Sequence, residues 1–370
     1  MQTRVAIIGG GLAGLYAGKL LQQANIDFIL IEARERLGGR ILSADPTGSP
    51  SDDGFDLGPS WFWPEMQPAM QALVLQLGLG TFPQHSEGDV VFQRMSRETP
   101  LRYRPAQQEA QSMRIAGGTG SLVRALARQI PGERILTGAP VQHLELSPAH
   151  VTLKIPTRDA AEEVIVAEQV IAALPPRLLA NIAFTPAIDA AALQRWKATP
   201  TWMAPHAKFF AIYDRPFWRA AGFSGTAQSL AGPLAEIHDA TTASGKAALF
   251  GFPALGADTR AAMGDAALKQ ACLDQLARLF GPSALKPQAT VLKDWAADPL
   301  TAAAEDRSGG GHPEPSSAPW VTGAWRDRLT LGGSEASPTE PGYMAGAVIA
   351  AERAAAEVMK HLNAAVEPGR

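Results

Sequence analysis

The sequence predicts an α/β fold, with a discontinuous Rossmann-like unit joined to a smaller domain of mixed β-sheet plus helices. Three observations predict it. A short apolar run, Val5–Ile8, leads straight into glycines and then into a helical pattern. A second apolar run, Phe28–Ile31, ends at an acid, Glu32. Further strand-like and helical stretches follow between 112 and 185 and again after 318, as a fold of mixed strands and helices requires.

Each element has its own warrant. Val5–Ile8 is apolar and β-branched, as a buried parallel strand requires. From Leu12 to Ala24, the residues Ala13, Ala17, Leu20, Leu21 and Ala24 share one helical stripe. Proline- and glycine-rich stretches at Asp45–Pro50 and Pro59–Pro68 predict loops. Helices are expected over Gln67–Leu77, Ser121–Gln129, Ala261–Phe280 and Tyr343–Leu362. Strands are expected at Arg134–Leu136, Val141–Leu146, Val151–Ile155, Val164–Ala172 and Lys208–Tyr213. Ser308–Ser317 is a low-complexity loop. The division expected is residues 1–75, 112–185 and 318–362 for the first domain, and 76–111 and 186–317 for the second.

Composition narrows the function. The chain has 370 residues, 46% of them apolar and 19% charged, enough for about two globular domains. A net charge of −3, from 33 basic and 36 acidic residues, leaves no electrostatic footprint for nucleic acid. Cys272 is the sole cysteine, which excludes a disulfide scaffold and a cysteine-based metal site. The seven histidines lack metal-ligand spacing, so no metal is expected. The first apolar run breaks into glycines, and no hydrophobic tail follows Leu362, so a cytoplasmic protein with no membrane partner is expected.

Gly9-x-Gly11-x-x-Gly14 sits between strand and helix. Gly9 permits a tight turn, Gly11 lets backbone approach a pyrophosphate, and Gly14 lets helix and strand pack closely. The helix N-terminus then offers free N–H groups to phosphate. Glu32 lies 18 residues beyond Gly14, where a carboxylate accepts hydrogen bonds from a ribose diol and repels a 2′-phosphate. This argues for a dinucleotide and against NADP. Arg36-Leu37-Gly38-Gly39-Arg40 adds two arginines around a glycine pair, suited to a diphosphate.

This stretch resembles the FAD-binding N-terminus of the flavin-containing amine oxidase superfamily. Further segments match in order: Asp56-Leu57-Gly58-Pro59-Ser60-Trp61, Gly117-Gly118, Ala172-Ala173-Leu174-Pro175-Pro176, and Leu331–Glu335 through Pro341–Ala347. The resemblance implies that Gly9, Gly11 and Gly14 hold the diphosphate and Glu32 the adenosine ribose, with Arg34 and Arg40 nearby. It places Val141 at adenine through its backbone. Ser334 and Glu335 fall at the diphosphate and ribityl end. Gly58, Trp295 and Gly333 are further cofactor contacts, and Met344 offers its backbone N–H to the isoalloxazine. The stretch where some members tether flavin, Trp295–Arg307 here, has no cysteine. FAD is therefore expected to be non-covalent.

The resemblance also implies the catalytic constellation. Lys208 enters an apolar strand ahead of Pro216-Phe217-Trp218, where the family's lysine reaches flavin N5 through a water. Tyr343 is one wall of an aromatic cage. The aligned second wall falls near Ala304 or Glu305, neither aromatic, leaving Trp61, Trp63, Phe209 and Trp320 as alternatives and Glu305 as a carboxylate for a cationic amine. His206, two residues before Lys208, and Phe210 are further substrate candidates. The first substrate-domain insertion, residues 76–111, is short, so the cavity is expected to be open or capped by a partner subunit in a homo-oligomer.

The expected activity is FAD-dependent oxidation of an amine C–N bond. Hydride goes to flavin N5, the imine hydrolyses, and O2 reoxidises the flavin to give H2O2. The rival readings are desaturation or oxidation of a hydrophobic non-amine substrate, and non-catalytic FAD binding.

Overall fold

The computed structural model describes residues 1–105, 111–156 and 162–364. The expected 76–111 segment therefore lies partly outside the described residues. Strand β1 (Gln2–Ile8) turns through the glycines into helix α1 (Leu12–Gln23), which returns to strand β2 (Phe28–Ile31). β1 pairs in parallel with β2 on one side and with a long strand, β3 (Glu162–Ala172), on the other. The sheet runs Ala183–Thr185, His143–Leu146, Val151–Pro156, β3, β1, β2, Ile135–Leu136, and Leu329–Leu331 pairs with the C-terminal end of β3. Strands from the start, middle and end of the chain thus share one sheet, as the discontinuous Rossmann-like prediction requires.

The strand predicted over Val141–Leu146 begins at His143, with Pro140 and Val141 left in the preceding extended segment. Proline has no N–H to give a ladder, which delays the start of pairing. The single helix predicted over Ala261–Phe280 is two, Ala257–Met263 and Asp265–Phe280, broken at Gly264 with φ +77°. Trp196, on the helix Ala190–Ala198, packs fully buried against the core of the first sheet.

The second sheet contains β4 (Ala207–Tyr213), β5 (Leu234–Asp239) and β6 (Ala247–Pro253). Its order is Ala289–Asp294, β4, β6, β5, Phe223–Ser229, Asp89–Gln93, Leu101–Tyr103. Every residue of β4 is buried, because the sheet is covered on both faces. Phe209, Ala211 and Tyr213 face the helix Asp265–Phe280 and its Leu276 and Phe280. Phe210 and Ile212 face the other way, toward Phe55 and Leu57. That second face meets the loops of the first sheet. The last helix, α2 (Met344–Ala364), begins at this junction and packs along α1 through Ala347, Val348, Ala351 and Ala354.

Candidate active site

A cavity of about 1160 Å³ runs between the two sheets. Gly9, Gly11, Glu32, Arg34 and Val141 line one end, and Trp61, Lys208, Phe252 and Tyr343 line the other. It exceeds the usual volume for a drug-sized ligand.

The glycine turn is built for close approach. Gly9 has φ +107°, a conformation L side chains rarely adopt. A Cβ on Gly14 would stand 1.9 Å from the Gly9 carbonyl oxygen, so only glycine lets α1 pack here. Gly11, the N-cap of α1, has no side-chain cap and lines the cavity, with Gly38 O and Gly39 Cα at 3.9 and 4.0 Å from where a Cβ would stand, so the helix start faces the cavity.

Glu32 is buried, and its two oxygens accept hydrogen bonds from Gly10 N (2.7 Å) and Arg34 N (2.9 Å). Each oxygen keeps a second lone pair for a diol. Arg34 reaches across to Asp298 and Thr301. Arg40 forms a two-pronged pair with Glu335 at 2.7 and 3.0 Å and also donates to Ser334 Oγ. Arg36, expected beside a diphosphate, instead donates to the carbonyls of Leu37, Gly39 and Ile41 and holds its own loop closed. The carbonyl-rich glycine turn captures it first.

Lys208 is the most constrained group. Its Nζ donates to Asp56 O (3.2 Å), Gly58 O (2.6 Å) and Ser60 Oγ (2.8 Å), one acceptor for each ammonium proton. The rings of Phe250 and Phe252 lie 4.5 and 5.3 Å from it. Burial pushes its pKa down to about 7, opposed by the nearby Asp56 charge. The Asp56–Trp61 segment is thus the lysine's cradle. A Cβ on Gly58 would sit 1.9 Å from Arg40 O, so glycine is what brings cradle and Arg40 loop together. Asp56 is itself fixed by Ser43 Oγ and by the Thr119 N–H and hydroxyl, directly after the Gly117-Gly118 pair.

Trp295 lines the cavity and donates from Nε1 to Leu57 O. Gly333 and Ser334 also line it, as do Tyr343 and Met344 at the start of α2. His206 lines the cavity beside Lys208, and its buried Nδ1 has no partner among the described residues. Burial lowers its pKa.

Two sequence candidates stand elsewhere. Phe210 is buried one row behind the cavity, stacked on Phe250 at 5.3 Å, because the deeper row of the sheet is closed by Phe55. Glu305 is exposed on a short turn and does not line the cavity, while its neighbour Asp306 turns inward to Thr201 N and Ala303 N. Among the aromatic alternatives, Trp61 and Trp63 line the cavity. Phe209 and Trp320 belong to other cores.

The sequence reading missed three parts. Trp202 lines the cavity with its ring centroid 6.3 Å from that of Tyr343, and His312 touches both rings at 4.5 and 4.7 Å. The proline-bounded segment Pro200–Pro205, just before the lysine strand, was the available signal. Gln84 accepts a 2.7 Å hydrogen bond from Trp61 Nε1. Glu236 and Phe252 enter from β5 and β6, which no motif marks.

Among the described residues, no cluster of ligating side chains suits a metal, and no helix is long and apolar enough to cross a membrane.

Fold and cleft together define a dinucleotide-binding protein. Residues 93–359 match the family of flavin containing amine oxidoreductases, and residues 7–77 match an NAD(P)-binding Rossmann-like domain. The chain belongs to the flavin-containing amine oxidoreductase family, and the resemblance read from its sequence is borne out. It is 23% identical over 467 residues to amine oxidase [flavin-containing] A of Bos taurus, across 97% of this chain and 85% of the relative. Its fold is similar to that of a putrescine oxidase bound to putrescine (TM-score 0.81, 21% identity, 97% of this chain, 99% of the other). It is similar also to cyclohexylamine oxidase from Brevibacterium oxydans IH-35A (TM-score 0.80, 21% identity, 98% and 99%). The protein is a flavin-dependent oxidoreductase.

Proposed function

We propose that this protein oxidises an amine at its C–N bond using non-covalently bound FAD and O2. One observation carries the reading: a buried lysine, held by three oxygens, stands on the wall of a cavity that a glycine-turn nucleotide site opens into. The overall reaction is amine plus O2 plus water giving aldehyde or ketone, ammonia (or the smaller amine) and H2O2.

The residues fit FAD. The free start of α1 and the bare backbone at Gly11 suit a diphosphate, and Glu32 suits the adenosine ribose. Val141, Trp295 and Met344 line the remainder. Cys272 is buried in the core of the second sheet, which supports non-covalent binding. FAD, when bound, supplies the two-electron oxidant.

The chain supplies orientation and field. Tyr343 and Trp202 present ring faces that steer an amine nitrogen by shape and π-charge. Lys208 Nζ carries positive charge below about pH 7 and sheds it above, so it tunes the field at the inner wall without leaving its cradle. Neutral His206 adds a polar nitrogen with no protein partner among the described residues. Trp61, held by Gln84, shields this end from water. The match to known amine oxidoreductases and the lysine on the cavity wall favour this reading over desaturation of a hydrophobic compound.

The test is product stoichiometry. Purified protein supplied with aerated primary and secondary amines is expected to release H2O2 and carbonyl product one for one. O2 uptake without a carbonyl product would overturn the reading.

A further inference from the structure

Three carboxylates line the cavity: Glu32, Glu335 and Glu236. Glu32 is bound by backbone N–H groups beside Arg34, and Glu335 is paired with Arg40. Both stand at the nucleotide end. Glu236 faces the opposite end, and among the described residues no arginine or lysine pairs with it.

The sheet register fixes where it sits. In β5 and β6, Glu236 stands opposite Phe252. In β6 and β4, Phe209 stands opposite Gly251, so the next antiparallel step sets Lys208 opposite Phe252. Lys208, Phe252 and Glu236 therefore form one row across three neighbouring strands, and all three line the cavity. Two strand spacings separate the backbone of the lysine from that of the glutamate by about 10 Å. Phe252 is the apolar floor between them. The next row, Phe210, Phe250 and His238, lies behind.

The carboxylate is held in place. His238 Nε2 lies 2.7 Å from Glu236 Oε1, and the His238 ring packs edge-on to Trp61 at 4.8 Å and against Phe250 at 5.3 Å. The side chain of Glu236 is about half exposed, at 49%, as a group at the mouth of a cavity would be. The hydrogen bond to His238 keeps its pKa below the ordinary value against the opposing effect of burial, so it is ionised at neutral pH.

We infer that Glu236 is a specificity determinant that receives a second, distal ammonium group, so that the preferred substrates are diamines whose two nitrogens are separated by a short methylene chain lying on Phe252. This rests on the amine-oxidising reading above. The reacting nitrogen sits toward Lys208 and Tyr343, where no carboxylate faces it. The distal nitrogen sits where Glu236 stands, whose Oε1 meets His238 and whose Oε2 has no partner among the described residues. An ammonium–carboxylate pair that excludes water on binding is worth more than an open surface pair.

The experiment compares kcat and KM for straight-chain α,ω-diaminoalkanes of four to six carbons with n-alkylamines of the same lengths. Wild type is expected to prefer the diamines by about ten-fold in kcat/KM. In Glu236→Gln that ratio is expected to collapse toward one, with the loss in KM rather than kcat, and Glu236→Asp should restore part of it. Turnover of alkylamines with no diamine preference, or a preference untouched by Glu236→Gln, overturns this inference and leaves amine oxidation standing. Should no amine turn over, the function reading falls. Calorimetric binding of the diaminoalkane then decides on Glu236: tight binding lost in Glu236→Gln sustains the site, and binding unaffected by the substitution overturns it.

Discussion

Replacing Lys208 by methionine isolates the effect of a buried cation on stability. The lysine's pKa is about 7 in the fold against an ordinary 10.5. Between those values the unfolded chain holds a proton that the folded chain has shed. The unfolded state then binds more protons, so stability rises with pH across this window. Well below pH 7 the cost of burying the charge is carried in full. For such a pair of pKa values, the lysine alone adds roughly 2–3 kcal/mol of stability between about pH 6 and pH 9. Methionine has nearly the same length and does not titrate. The sign of its effect at one pH is not the useful quantity, since it also strands Asp56 O, Gly58 O and Ser60 Oγ without their donor. The difference in pH slope is. Urea denaturation of both proteins in matched FAD, at several pH values, is expected to show wild type gaining that amount over Lys208→Met. Parallel curves would refute the reasoning, because they would mean that Lys208 stays charged in its cradle throughout.

Gly14→Ala places a methyl 1.9 Å from the Gly9 carbonyl and should cost at least about 2 kcal/mol while stripping the flavin, seen as lost visible absorbance; a stable yellow variant would contradict the role of the turn. Asp239→Asn weakens a buried carboxylate that accepts from Arg219 twice, from Trp218 Nε1 and from Thr241 N, and should lower stability by roughly 3 kcal/mol in denaturant titration. Tyr343→Ala removes one ring of the Trp202–His312–Tyr343 cluster and should lower kcat/KM for amines about ten-fold with flavin still bound, checked by steady-state kinetics and the flavin spectrum.

Much of the nucleotide half was legible because its chemistry is local. Gly9, Gly11, Gly14 and Glu32 lie within one strand–turn–helix–strand unit, so spacing alone fixes their geometry. Lys208 was legible as a charge inside an apolar strand, but its partners were not. Asp56, Gly58 and Ser60 lie some 150 residues away and meet it only because the loop they form packs against the face of the second sheet. Arg36 and Arg40 look alike in sequence, yet one closes its own loop and the other crosses to Glu335. Phe210 and Glu305 were chosen by proximity along the chain. Alternation in β4 turns Phe210 toward the cavity side but leaves it a row too deep, and the turn at Ala304–Asp306 directs Asp306 inward in place of Glu305. Glu236 carried no motif at all. Its place depends on the register of β5 against β6, which pattern reading does not supply.

The most direct measurement is anaerobic. Purified protein, mixed with an amine in the absence of oxygen, should lose its yellow colour as the bound flavin is reduced, then regain it on admitting air with one equivalent of H2O2 formed. Protein that carries flavin yet stays yellow with every primary, secondary and diamine offered would contradict the account at its centre.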